Sequence, residues 1–186
     1  MSRRGVGMLV GVVALVLVVV IAGGQAADGD AYDPDTTGPG GLSIAVDLAE
    51  ALGTRVAVID AEDPVDGYDA ILVPTARAAD ADMAARWEAA ASSGASVVLG
   101  MPSKRIGAEE GDYEPLAPAA EPGCTIAELQ ELDQPRNPGR PVLVGPSDRY
   151  CFGYPEGAQV VLSPVGAGRI VTLGGPELFT NATLSE

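Results

Sequence analysis

The chain has 186 residues, 26 of them acidic and 11 basic, with no histidine and a single lysine, Lys104. The formal charge of −15 repels phosphate backbones and anionic lipid, which speaks against nucleic acid as a partner. Lack of histidine removes Ser-His-Asp and Cys-His nucleophile activation, imidazole acid–base work and histidine-ligated zinc together.

Between Arg4 and Gln25 no side chain is charged or carries an amide, and Met8 to Ile21 contains only Leu, Val, Ala, Met, Ile and Gly. A run of about 20 apolar residues is long enough to cross a hydrocarbon core as a helix. Arg3 and Arg4 on one side and Asp28, Asp30, Asp33 and Asp35 on the other predict an N-in, C-out orientation. The expectation is a short cytoplasmic N-terminus (1–4), a transmembrane helix (5–24), an acidic Gly/Pro tether (25–41) and an extracytoplasmic domain (42–186). Such a protein would be a single-pass resident of the cell membrane. A signal peptide cleaved near Gly24-Gln25-Ala26 is the alternative, and it too exports the remainder. The exported part carries nine basic against 26 acidic residues, a formal −17, as solubility outside the cell favours.

Leu42, Ala45, Val46, Ala49 and Leu52 recur at helical spacing and Gly53 supplies a stop. Arg55–Asp60 (RVAVID) and Asp69–Pro74 (DAILVP) read as strands covered on both faces, as in a parallel sheet. Asp80 to Ser93 predicts a second helix, with Asp80 as N-cap, Met83, Ala84, Trp87, Ala90 and Ala91 inward, and Gly94 at its end. Ala95–Leu99 is a third strand. Residues 101–157 lose this order, and the only helix-like piece there is Ile126–Leu132. Ala158–Pro164 and Arg169–Leu173, joined by Val165-Gly166-Ala167-Gly168, predict a hairpin. Two tensions remain. Residues 61–68 are short for a crossover between adjacent parallel strands, which suggests that those strands flank another element. No evident strand precedes the first helix either; residues near Ala31 to Asp33 fill that slot poorly.

Cys124 and Cys151 are the only cysteines. In an oxidising compartment the simplest reading is a disulfide that pins the 101–157 excursion; a reactive thiol is the alternative, with no basic residue adjacent to lower its pKa. Asp28, Asp30, Asp33 and Asp35 lack the spacing of a twelve-residue calcium loop and its closing glutamate, so no metal is expected, and no cofactor. Thr36, Thr37, Gly38, Gly40 and Gly41 precede the first helix and are the candidate anion or ligand site, since helix N-termini favour anions. Ser103 and Lys104 follow the third strand on the rim where open α/β sheets bind ligands. Asn181-Ala182-Thr183 matches a glycosylation acceptor.

Three stretches resemble a known family: Tyr32-Asp33-Pro34-Asp35-Thr36-Thr37-Gly38-Pro39-Gly40-Gly41-Leu42; Pro122-Gly123-Cys124 with Cys151-Phe152-Gly153-Tyr154-Pro155; and Gly166 to Gly174 with Leu178-Phe179-Thr180-Asn181. Together they resemble the domain of unknown function 4350 in its actinobacterial form. The resemblance implies a flavodoxin-like, class I amidotransferase-like α/β domain tethered outside the membrane, with a mostly parallel three-layer sheet and a C-terminal hairpin. It also implies gene neighbours such as MoxR-type ATPases and von Willebrand-like proteins. Members usually continue past the Leu-Phe-Thr-Asn segment into a further helix, so a shortened or divergent member is expected. The amidotransferase Gly-x-Cys-x-Gly elbow is absent. The functional expectation is a non-catalytic interaction or ligand-sensing domain with a membrane or extracytoplasmic protein partner. A hydrolase or transferase working through Asp60 or Asp148, and a structural subunit completed by a partner, are the competing readings.

Overall fold

The computed structural model describes residues 16–21, 32–60 apart from 33, 36, 52 and 54, and then 63–75, 80–103, 121–130, 140–154 and 157–180. Its frame is one eight-stranded sheet in the order β2-β1-β3-β4-β8-β7-β6-β5. The strands are β1 (Val16–Ile21), β2 (Arg55–Asp60), β3 (Ala70–Val73), β4 (Ser96–Leu99), β5 (Glu121–Cys124), β6 (Arg149–Tyr154), β7 (Gly157–Val165) and β8 (Gly168–Leu173). The helices are α1 (Ser43–Ala51) and α2 (Ala81–Ser92), and single 3-10 turns occupy Ala127–Leu129 and Pro176–Phe179.

This arrangement corrects the expected fold class twice. The expected transmembrane helix is not seen: the Val16–Ile21 segment is β1, parallel to β2 on one side and to β3 on the other, and residues 5–15 and 22–24 lie outside the described residues. Among the described residues no helix is long and apolar enough to cross a membrane. The physical reason lies in the composition of VLVVVI, because β-branched residues prefer the pleated strand, and an unbroken apolar run suits a strand buried on both faces as well as a span. The sheet is also mixed, not mostly parallel. Pairings β1–β2, β1–β3, β3–β4 and β4–β8 are parallel, whereas β8–β7, β7–β6 and β6–β5 are antiparallel. The β7–β8 pair is the expected hairpin; the further antiparallel strands β5 and β6 come from the irregular stretch, where Pro and Gly in Glu121-Pro122-Gly123-Cys124 hide the strand signal. A proline is tolerated there because β5 is an edge strand.

The placement of β1 resolves both tensions in the sequence. It is the strand before α1, and it separates β2 from β3, so residues 61–69 cross over it. That crossover has no helix among its described residues; Val65 is buried there and packs in the same cluster as Trp87.

Alternation along the strands divides the core. Ile71, Val73, Val97, Leu99 and Ile170 face α2, whose Ala84, Trp87, Ala90 and Ala91 are buried against them. The expected inward face of this helix is therefore the observed one, with Met83 partly buried. Asp80 caps it by accepting the Met83 N–H at 2.8 Å, satisfying a donor that the first turn leaves open. Leu72 and Val98 point to the opposite face, under Leu42 and Phe179. A third cluster, formed by Ile126, Cys151, Phe152, Val160, Leu162 and Leu173, lies on the antiparallel side. The hairpin of β7 and β8 turns through Gly166 at φ 56°, a left-handed conformation that glycine adopts without steric cost.

Trp87 is fully buried and fills the space between α2 and the parallel strands. Trp87→Ala is expected to remove about 3–5 kcal/mol of stability, read as a lower urea midpoint at unchanged slope.

Candidate functional site

In an open α/β sheet the carboxyl ends of the parallel strands are where ligands bind. Here that rim follows Val73, Leu99 and Leu173. Next to it, on the face opposite α2, the chain packs on the sheet. Leu42 is 0% exposed and packs on Leu72 with Tyr32, Val56, Val98 and Phe179 around it. Beyond β8, Gly174, Gly175 and Pro176 are buried and lead into the Pro176–Phe179 turn. The Gly174 N–H donates to the Gln159 carbonyl and its own carbonyl accepts from Arg140 N–H, both at 2.8 Å. Between β3 and β4 the backbones come very close: a Cβ on Gly100 would stand 2.2 Å from the Pro74 carbonyl oxygen. Ser103, buried just beyond, completes this side.

The glycine segment precedes α1. Its Gly41 N–H donates to the Gly38 carbonyl at 3.0 Å, and the Gly40 carbonyl accepts the Tyr32 N–H at 2.8 Å. The segment thus closes on itself, and one of the donors that an anion there would use is engaged. Thr37 is exposed, Gly38 and Gly40 half-buried and Gly41 buried. Thr36 lies outside the described residues, as do Lys104, Asp28, Asp30, Asp33 and the Asn181-Ala182-Thr183 acceptor.

Tyr32 was not singled out by its chemistry in the sequence, yet the structure makes it the titratable group of the rim. Its φ of 65° is left-handed, and its phenol is held above the ordinary value of 10.0, first by burial and then by the Glu177 carboxylate. The two residues are far apart in the chain, so only the Gly174-Gly175-Pro176 break after the last strand hinted that the C-terminal segment folds back over the sheet.

The carboxylates considered for hydrolysis do not converge. Asp60 ends β2 at one edge of the sheet, while Asp148 precedes β6, with β1, β3, β4, β8 and β7 in between. At about 4.8 Å per strand these sites are tens of ångströms apart. Asp148 Oδ2 accepts the Gly145 N–H at 2.7 Å and so fastens a turn. Among the described residues no group of three acidic or cysteine side chains is arranged to hold a metal ion.

Cys124 and Cys151 form a disulfide. They stand directly opposite each other on β5 and β6, with a register shift between Glu121 and Cys124 that leaves an extra residue on β5.

A family model described as "Domain of unknown function (DUF4350)" matches residues 34–186. The chain belongs to this family. No curated protein matches it. Among solved structures, the exo-β-1,4-mannosidase Op5Man5 from Opitutaceae bacterium strain TAV5 is similar at TM-score 0.56 and 16% identity, over 93% of this chain and 33% of the mannosidase. The cytoplasmic protein STM1381 from Salmonella typhimurium LT2 is similar at TM-score 0.55 and 7% identity, covering 86% of this chain and 88% of that one. The DUF4350 chain thus spans about a third of the mannosidase's length. At these identities the likeness is one of fold alone.

Raising the pH provides a check on the Tyr32 environment. A phenol whose folded pKa is raised contributes stability that is present below the ordinary value and lost as pH rises through the folded value, because the unfolded chain releases the proton first. Stability should therefore fall above about pH 10, and less so in Tyr32→Phe. Glu177→Gln should move the Tyr32 titration, followed by phenolate absorbance, to lower pH by removing the smaller of the two causes.

Proposed function

We propose that this DUF4350 domain is a non-catalytic interaction module that works outside the cytosol and recognises a protein partner. The observation that carries the reading is a pair of exposed apolar residues at one side of the sheet. Leu48 of α1 is 51% exposed and Val58 of β2 is 48% exposed. β2 is the edge strand on that side among the described residues, and α1 lies against it. An apolar pair beside a strand edge, within a surface of high negative charge, suits a partner that contributes apolar side chains and basic groups.

Placement outside the cytosol is supported by the cystine, which reducing cytosol disfavours, and by the strong acidity of the chain. The solved structures similar in fold add no substrate to this reading, since a fold hosts many functions.

The test is affinity capture of partners by the wild-type chain and by a Leu48→Glu/Val58→Glu variant of equal thermal stability. The expected result is a saturable protein partner whose affinity falls about tenfold or more in the variant, the loss of at least ~1.4 kcal/mol. Equal capture by both, or stoichiometric binding of a metal or small anion to the wild type by calorimetry, would contradict it.

A further inference from the structure

We propose that the Cys124–Cys151 cystine is a redox latch. Its reduction by a dithiol frees β5 and the turn after it, while the rest of the domain stays folded. The inference concerns the chain by itself and stands whatever partner the domain binds.

Four observations carry it. First, the crosslink fastens the outermost strand of the sheet. Among the described residues β5 pairs with β6 alone, through the two registered positions Glu121↔Gly153 and Cys124↔Cys151 with an irregularity between them. Thr125 adds hydrogen bonds to the Tyr150 backbone just beyond. A bulged edge strand of four residues is the part of a sheet that opens most readily. Second, the cluster between α2 and the sheet shares no buried residue with the cluster that holds the cystine, which β8 and β4 reach only from the opposite face through Leu173, Val171 and Val98, so the α2 side keeps its own core when the crosslink opens.

Third, the backbone next to Cys151 is strained. Phe152 has φ 58° although it is neither glycine nor asparagine and sits inside β6. That conformation turns two consecutive side chains, Cys151 and Phe152, into one apolar cluster, where an ordinary strand would send them to opposite faces. Across from it on β7, Gln159 is fully buried; its Nε2 donates to the Tyr154 hydroxyl, while its Oε1 has no donor among the described residues. Left-handed backbone at a bulky residue and an unmet buried acceptor persist only while their surroundings hold them, and such features gather at switch regions. Fourth, the two cysteines differ in access. Cys151 is fully buried and Cys124 only partly so, which directs attack to one sulfur.

The step balances as thiol–disulfide exchange. A thiolate of the dithiol attacks Cys124 Sγ, the S–S bond breaks, and its electron pair passes to Cys151 Sγ, which takes a proton. The second thiol of the reagent then attacks the mixed disulfide and releases Cys124 as a thiol, leaving the reagent oxidised. With β5 unfastened, Ile126 and Leu129 leave the cluster and uncover Phe152, Val160 and Leu162, while Phe152 is free to return to extended backbone.

The experiment is hydrogen exchange with mass spectrometry on the full chain, oxidised and after treatment with dithiothreitol, with thiols counted by alkylation. The expected result is two thiols per chain and exchange at least tenfold faster in residues 121–130, with β4 and β8 as protected as before. A Cys124→Ser/Cys151→Ser variant should reproduce that pattern without reductant. Unchanged protection of residues 121–130 after both thiols appear would overturn the proposal. So would uniform loss of protection across the sheet, which would make the cystine a staple for the whole fold, and so would a native chain that yields no thiols to dithiothreitol.

Discussion

The parallel pairing of β1 with β2 and β3 is the constraint on which the remaining structure depends. Without Val16–Ile21 between them, Arg55–Asp60 and Ala70–Val73 would have no shared neighbour, and the crossover that buries Val65 would have nothing to cross. A strand inside a sheet must satisfy both of its hydrogen-bonding edges, and here the two edges are met by strands 39 and 54 residues downstream of Val16. Tyr32 and Leu42, between β1 and α1 in the chain, pack on Leu72 and Val98 of β3 and β4.

That placement links fold to function. The side of an α/β sheet that ordinarily receives ligands carries the chain's own apolar residues, and Gly100 allows β3 and β4 to close against each other there. Leu48 of α1 and Val58 of β2 are exposed apolar residues on one side of the sheet. The antiparallel half is built differently: it holds the cystine, the left-handed Phe152 and the unmet Gln159 acceptor together within a few residues. The cluster around α2 and the cluster that holds the cystine share no buried residue, although Leu173, Val98 and Val171 of β8 and β4 belong to or pack against the latter.

Much of the parallel half was legible in the sequence because each signal was local. Asp80 followed by apolar residues at helical spacing gives α2 with its cap and its Trp87 face, and RVAVID gives β2 residue for residue. Two cysteines allow only one intramolecular pairing. The glycine run Gly166-Ala167-Gly168 marks the last hairpin. By contrast, VLVVVI carries the same signal whether it crosses a membrane or lies inside a sheet, because both environments ask for an unbroken apolar segment; its role is decided by partners far along the chain. β5 was invisible for the opposite reason, since Pro122 and Gly123 oppose strand formation and only its position at an edge, across from Cys151, makes it one. The rim escaped notice because Tyr32 and Glu177 meet through tertiary folding alone.

The claim that Val16–Ile21 is an interior strand is tested most directly by urea unfolding of the intact chain carrying Val18→Pro. Proline at this position removes a ladder donor and cannot sit in a central strand, so the account predicts a loss of about 3 kcal/mol or more, with the transition broadened or abolished. An unfolding curve that matches the wild type would mean that this segment is not part of the sheet, and the account of the parallel half would have to be abandoned.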